Sequence, residues 1–159
     1  MTESPVFLAE RLQVEGERTL AFFNAFSAAE WEKPIYADGG HWNARQILAH
    51  LVAAERALQE LMKNVLQGGE GAPAAFDLDS YNEEQVEQLS DCSAPALLEE
   101  FSQSRRQSVD FVAGLQAQDL EKQGRHPFLG MAPLAEMIKL MYRHTQIHQR
   151  DIRKSLAGA

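Results

Sequence analysis

Apolar residues recur at helical spacing in four long stretches of this chain. The clearest stripe lies in residues 43–67, where apolar side chains stand three or four positions apart. Its members are Ile47, Leu51, Ala54, Leu58, Leu61 and Val65. Comparable stripes predict three further helices over roughly 4–27, 94–118 and 132–156. Because no segment alternates apolar and polar residues with a period of two, we predict no strand, an all-α fold class and a four-helix bundle.

The residues at the predicted helix starts support these boundaries. Ser4 precedes Pro5, which is an N-cap followed by proline at the first helical position, where the missing N–H is no loss. Asn43 with Gln46 three residues later has the pattern of a capping box. Ser93 is a suitable cap for the third helix. The first three helices therefore have recognisable beginnings.

The connection between the second and third helices, residues 68–93, is long and irregular. It opens with a glycine-rich stretch, and residues 81–89 are compatible with one short acidic helix. A connection of this length can cross the end of a bundle or run along its full length. Helices two and three could therefore be parallel, so simple up-and-down order is not the only possible topology.

Composition and charge narrow the class of protein. The chain has 159 residues, 45% hydrophobic and 24% charged, which is typical of one soluble globular domain over 1–159. The formal net charge of −8 argues against nucleic acid as a partner, because phosphate binding needs a concentrated Lys/Arg surface. A single cysteine, Cys92, and an N-terminus unlike a signal peptide indicate a cytoplasmic protein. No window reaches 18 consecutive apolar residues, so we expect no membrane span.

Three histidines lie on the inward-facing stripes of the predicted helices. His144 and His148 are four residues apart on the fourth helix, and they continue the apolar line that includes Met141. His50 lies on the inward stripe of the second helix, three residues after Ile47. All three imidazoles are therefore expected to point into the bundle.

Buried imidazoles need partners, and a divalent metal ion is one way to supply them. Each neutral ring has one donor and one acceptor nitrogen, and an unsatisfied buried polar group costs about 1–3 kcal/mol. An ion would bind one nitrogen of each ring, and the lack of an obvious fourth ligand would leave positions open for water or substrate, as in catalytic sites. The alternative is three histidines that bind no metal. The pattern alone leaves the two readings equally open.

Three further residues are candidates for the surroundings of this site. Asp151, three residues after His148, could orient an imidazole or act as a general base, or simply form a surface pair. His126, in the loop before the fourth helix, could reach the open face of the site, although loop histidines are usually just exposed. Arg105 interrupts the apolar stripe of the third helix, and it could bind an anionic substrate or cofactor or pair with a carboxylate such as Glu55. These two roles of Arg105 are equally open.

Three motifs follow one another along the chain: residues 41–51 (HWNARQILAHL), residues 126–130 (HPFLG) and residues 142–152 (YRHTQIHQRDI). Together they resemble the DinB/YfiT-like superfamily of four-helix-bundle metalloproteins. The first resembles its second-helix motif, the last resembles its fourth-helix H-x-x-x-H motif, and the middle one resembles a lead-in that many members carry. The resemblance implies an up-down-down-up bundle. It also implies a nickel, zinc or similar divalent ion on the histidines that match the family ligands, His50, His144 and His148.

The resemblance also implies classes of activity. Relatives include S-transferases and isomerases that use the low-molecular-weight thiols bacillithiol or mycothiol, so we expect a small-molecule substrate and either thiol transfer in detoxification or metal-dependent hydrolysis. In both schemes Asp151 or His126 would handle the proton. The alternative is a non-catalytic metal-binding module for stress response or interaction, in which a carboxylate such as Glu55 or Asp151 would close the coordination of the ion. We also predict a homodimer, because bundles of this kind often pair through a helix face.

Overall fold

Four long helices dominate the fold in the computed structural model, which describes residues 3–36 and 41–158. The described residues form six α-helices, one 3₁₀ helix and one two-stranded sheet. In chain order these are α1 (Pro5–Asn24), α2 (Ala28–Glu32), α3 (Ala44–Leu66), α4 (Leu78–Gln88), α5 (Ala94–Ala113), the 3₁₀ helix (Ala117–Glu121), β1 (Gln123–His126), β2 (Gly130–Pro133) and α6 (Leu134–Ala157). Helices α1, α3, α5 and α6 are the four predicted ones, which confirms the all-α bundle.

The predicted caps begin the helices. The Ser4 hydroxyl accepts the N–H of Phe7 at 3.1 Å, and Ser93 caps α5 in the same way. Asn43 and Gln46 form the reciprocal pair of hydrogen bonds of a capping box at the start of α3. The predicted short helix in the connection is also present, as α4, and begins three residues earlier than expected.

Two predicted helices end earlier than the apolar pattern suggested. The first was expected to reach residue 27, but α1 ends at Asn24, because Ser27 starts the separate helix α2 with its own capping box to Glu30. The third was expected to reach residue 118, but α5 ends at Ala113 with Gly114 as its C-cap. In both places apolar residues continue past the end of the helix, so the apolar spacing predicted a helix longer than the one that forms.

The prediction of no strand is wrong for residues 123–133. There β1 and β2 pair in antiparallel register, from Gln123 opposite Pro133 to His126 opposite Gly130. Each strand has only four residues, too few to show a period-two pattern. Gly130, with φ +73, supplies the left-handed conformation in the turn that other residues rarely adopt. The hairpin is therefore set by backbone pairing and turn geometry.

Two apolar clusters reveal the directions of the four long helices. The first joins the early part of α1 and α6 to the late part of α3 and α5, through residues that include Leu8, Leu12, Leu58, Met62, Val65, Val112, Leu134, Met137 and Ile138. The second joins the opposite halves, through Phe23, Ile47, Leu48, Leu97, Phe101 and Ile152 among others. Helices α1 and α6 therefore run one way and α3 and α5 the other. This is the up-down-down-up topology, with the 68–93 connection spanning the parallel pair.

A buried ion pair lies between the two clusters. The Arg105 guanidinium donates to both carboxylate oxygens of Glu55, at 2.8 and 3.0 Å, and also to the carbonyl oxygen of Leu12 at 3.0 Å. Ser108 donates to the same carboxylate at 2.7 Å. The side chains of Arg105 and Glu55 are only 4% and 3% exposed. Of the two roles left open for Arg105, the structure therefore shows the pairing with Glu55 and leaves the guanidinium inaccessible to an anionic substrate.

An interior glycine of α1 makes room for this arginine. A Cβ atom at Gly16 would lie 2.7 Å from Cγ of Arg105, and the guanidinium cannot retreat because its hydrogen bonds fix it. Glycine in a helix interior costs about 0.5–1 kcal/mol relative to alanine. The close approach of α1 and α5 explains why the helix carries it.

None of the helices in the described ranges combines the length and the apolarity that crossing a membrane requires.

Arg105→Met should destabilise the fold by about 3–5 kcal/mol, because it leaves the buried Glu55 carboxylate without its partner. Replacing both members, Glu55→Leu with Arg105→Met, should recover much of that loss, since no uncompensated charge remains. The free energy of unfolding from urea titration measures both. Arg106→Met is the matched control on the exposed neighbouring residue. Equal stability of the Arg105 and Arg106 variants would contradict the role of the pair.

Candidate metal centre

The structure brings together the three histidines that the sequence singled out. Nε2 of His144 lies 3.0 Å from Nε2 of His50 and 3.0 Å from Nε2 of His148. One ligand nitrogen from each ring lies within 4.8 Å of the others. The spacing of four residues aligns His144 and His148 on α6, and the antiparallel packing of α3 brings His50 to the same level. Three imidazole nitrogens thus converge at one point inside the bundle.

Burial keeps these rings neutral. It lowers the pKa of His50 from 6.5 to about 3, with the charge of His148 as a second cause. It lowers the pKa of His148 to about 4, although the nearby Asp151 carboxylate opposes the shift. The pKa of His144 is also lowered well below its usual value, first by burial and then by the neighbouring histidines. At neutral pH each ring therefore has one nitrogen lone pair to offer a ligand.

A hydrogen-bonded chain fixes the tautomer of His148. The Tyr36 hydroxyl donates its proton to Oδ2 of Asp151 at 2.8 Å and lies 2.8 Å from Nδ1 of His148. Burial, together with the bond to Asp151, raises the pKa of Tyr36, so the phenol stays protonated. Because its single proton goes to Asp151, the hydroxyl accepts a hydrogen bond from Nδ1–H of His148. The lone pair of His148 is therefore on Nε2, the nitrogen at the convergence point.

This donor set fits a divalent cation. Nε2 of His144 lies 3.0 Å from Nε2 of both other histidines, and Nε2 of His148 has no proton to donate. A single imidazole proton cannot make linear hydrogen bonds across both contacts, so hydrogen bonding alone does not account for the cluster. A cation at the shared point would satisfy all three lone pairs. Neutral imidazole suits zinc, nickel and copper, and a carboxylate behind a ligating histidine is the usual support for its orientation. Tyr36 relays that support from Asp151.

A cavity of about 620 Å³ opens beside the three histidines. His50 and His144 form part of its wall, and the rest comes from α3, α6, the connection over 71–82 and the turn of the β-hairpin. Most of the lining side chains are apolar, including those of Leu51, Ala54, Leu58, Leu61, Phe76, Phe128, Leu140 and Met141. The volume lies in the range of small-molecule sites. The candidate metal centre therefore has a chamber next to it in which a substrate could be held.

His126 lies in this chamber and is not one of the three clustered rings. Its Nδ1 accepts the backbone N–H groups of Phe128 and Leu129, at 3.0 and 3.2 Å, within the hairpin turn. The proton is therefore on Nε2, which can donate a hydrogen bond to a molecule in the cavity. Burial lowers the pKa of His126, so the ring is neutral at pH 7.

Asp151 lies behind the histidines and outside the lining of the cavity. Its Oδ2 accepts from Tyr36, and its Oδ1 accepts from Arg150 at 3.2 Å. Partial burial alone would raise its pKa, but these hydrogen bonds lower it, so the carboxylate is ionised. In this position it orients His148 through Tyr36, one of the roles the sequence left open.

Sequence reasoning missed Tyr36. The residue lies in the turn between α2 and α3, where no periodicity marks an inward face. It is held there by backbone hydrogen bonds, in which the N–H groups of Ile35 and Tyr36 donate to the Trp42 carbonyl at 3.0 and 3.4 Å. Only the folded turn brings the phenol to α6.

Residues 9–152 match the family model of the DinB superfamily. The chain belongs to this superfamily. Among curated protein sequences no significant match was found.

Several solved structures share the fold. The colibactin self-resistance protein ClbS, solved in complex with double-stranded DNA, superposes with a TM-score of 0.75 at 10% identity, over 96% of this chain and 95% of that one. The sibling lethal factor precursor DfsB gives 0.75 at 16% identity, over 97% and 95%. The mycothiol-dependent maleylpyruvate isomerase gives 0.67 at 19% identity, over 93% of this chain and 59% of that one. At these identities the likeness shows the fold alone.

The ClbS complex corrects one prediction. We excluded nucleic acid as a partner on the net charge of −8, and that exclusion is wrong, because a protein with this fold has been solved with double-stranded DNA. Net charge is a property of the whole chain, whereas a phosphate backbone meets only a local surface. The sum of charges therefore cannot rule out this class of partner.

Tyr36→Phe should weaken divalent-metal binding about 10–100-fold, the usual effect of losing a group that supports a ligating histidine. The change removes one hydroxyl, and with it the acceptor that fixes the tautomer of His148. Competition with a chromophoric chelator measures the affinity. Tyr81→Phe, which alters a tyrosine of the cavity wall instead, is the control. Equal metal affinities of the two variants would contradict the role of Tyr36 as the link between Asp151 and His148.

Proposed function

We propose that this chain is a metal-dependent enzyme in which His50, His144 and His148 hold a divalent ion, nickel or zinc, at the wall of the substrate cavity. The observation that carries the proposal is the convergence of three neutral imidazole nitrogens beside a chamber of about 620 Å³. A closed structural site would have no need of such a chamber.

The side chains around the histidines have distinct roles in this proposal. When bound, the ion supplies a Lewis-acid centre that lowers the pKa of a water molecule or a thiol that reaches it. Asp151 and Tyr36 position His148, and the apolar walls limit the access of bulk water. His126, whose Nε2–H is free of the hairpin bonds made by Nδ1, is the residue placed to donate to a substrate and to handle a proton.

Of the two reaction types, we favour transfer of a low-molecular-weight thiol to an electrophile, as in detoxification, over hydrolysis. The fold shared with the mycothiol-dependent maleylpyruvate isomerase supports this choice. In thiol transfer the ion would act by stabilising the thiolate, and in hydrolysis by activating water. Both reactions use the same three histidines.

The competing function is a non-catalytic metal-binding module, which would require a carboxylate to close the site. The hydrogen bonds of the two candidates argue against it. Glu55 is engaged by Arg105 and Ser108, and Asp151 by Tyr36 and Arg150. Neither belongs to the clustered ligand atoms found among the described residues. This supports an open coordination position.

The metal is tested by elemental analysis of the purified protein. We expect about one divalent ion per chain, and its loss in His148→Ala, because two imidazoles bind an ion far less tightly than three. His41→Ala, which removes an exposed histidine outside the cluster, is the control and should keep its ion.

The reaction is then tested by screening thiols with a generic electrophile. Activity that needs both the ion and one particular thiol supports transferase function, and activity that needs the ion alone supports hydrolysis. A fully loaded protein that is inactive in every combination would favour the non-catalytic module.

A further inference from the structure

Three large apolar side chains that line the cavity are also exposed to solvent, and we call this exposed part of the wall the entrance. Among the described residues seven large hydrophobic side chains are exposed, and three of them line this one cavity. They are Phe76 (37% exposed), Ile147 (45%) and Phe128 (72%). Single exposed hydrophobic residues need no explanation, but their collection around one opening indicates a binding surface.

Phe128 is held at this entrance. It lies in the hairpin turn, and its backbone N–H donates to Nδ1 of His126 at 3.0 Å. The most exposed aromatic ring of the entrance is therefore tied to the one cavity histidine outside the metal cluster. Gly130, with φ +73, completes the turn. The fold thus keeps an aromatic residue in water at a defined place, where a bound molecule could cover it.

The charges of the wall complement this apolar character. No lysine or arginine belongs to the lining that the described residues provide. Its two acidic residues are Glu55, which is neutralised by the buried Arg105, and the exposed Glu60. Away from the histidines, an anionic group would find no cationic side chain along the wall, and burying its charge there would be costly.

We propose that the cavity binds an uncharged, largely aromatic molecule, whose outer part packs against Phe76, Phe128 and Ile147. This names the substrate class of the enzyme proposed above, and its catalytic meaning rests on that function. The binding itself rests only on the apolar walls. In the thiol-transfer scheme the cavity holds the neutral electrophile, because a polar thiol gains little from these surfaces.

Two fluorescent probes with one aromatic skeleton test the charge preference. N-phenyl-1-naphthylamine is uncharged, and 8-anilinonaphthalene-1-sulfonate adds a sulfonate to the same rings. Titrated into the full chain after a chelator has removed divalent ions, so that no bound cation attracts the sulfonate, the neutral probe should bind one per chain, with a dissociation constant at least about tenfold below that of the sulfonate. Equal or tighter binding of the sulfonate would overturn the proposal.

Variants of the cavity locate the binding. Ala54→Trp fills the chamber with an indole and should abolish binding of the neutral probe, whereas Phe128→Ala should weaken it about tenfold. Phe7→Ala is the matched control, since Phe7 is 48% exposed on α1 and does not line the cavity. Circular dichroism verifies that each variant is folded. Several bound probes per chain with no effect of Ala54→Trp would place binding elsewhere and refute the proposal.

His148→Ala separates this proposal from the metal chemistry. The folded variant should bind the neutral probe as the wild type does, because the apolar walls are intact. Retained binding supports the cavity even if the purified protein proves to contain no ion. Loss of probe binding in this variant would overturn the assignment of binding to the walls.

Discussion

The buried pair of Arg105 and Glu55 constrains how the helices of the bundle lie against one another, because neither charge can be buried without its partner. Two charges removed from water are tolerated only when their hydrogen bonds are complete. Here both carboxylate oxygens are engaged, and the guanidinium also reaches the Leu12 carbonyl on α1. These bonds fix the levels of α1, α3 and α5 relative to one another. Because Glu55 lies only five residues after His50, the same contacts fix the height of His50 opposite α6.

Like the pair of Arg105 and Glu55, the candidate metal centre is a group of polar side chains buried between the two apolar clusters. Its rings are neutral because burial disfavours the imidazolium, and the tautomer of His148 follows from one phenolic proton that Asp151 already accepts. The chain Asp151–Tyr36–His148 thus does for the centre what Ser108 does for Glu55, since each satisfies a group that the fold has buried. On the other side of the rings lies the apolar chamber. Hydrogen bonds therefore hold His148 on one side of the site, and the other side of the site faces the cavity.

The sequence predicts most of the fold and the cluster of three histidines for one physical reason. Helical periodicity identifies the inward face, so His50, His144 and His148 can be placed there without a structure. Tyr36 and the hairpin over 123–133 escape this reasoning, because a turn and four-residue strands have no periodicity to read. The partner of Arg105 could be suggested but not chosen, because one sequence does not give the register between helices. Net charge likewise failed to identify possible partners, since it contains no spatial information.

X-ray absorption spectroscopy of the purified protein tests most directly the claim that three histidines hold an ion with an open position. We expect scattering from three imidazole nitrogens at about 2.0–2.1 Å from the ion, if it is zinc, together with a light ligand that exchanges for sulfur when a thiol is added. A coordination shell with fewer than three imidazoles, or one closed by a protein carboxylate and unchanged by thiols, would contradict it.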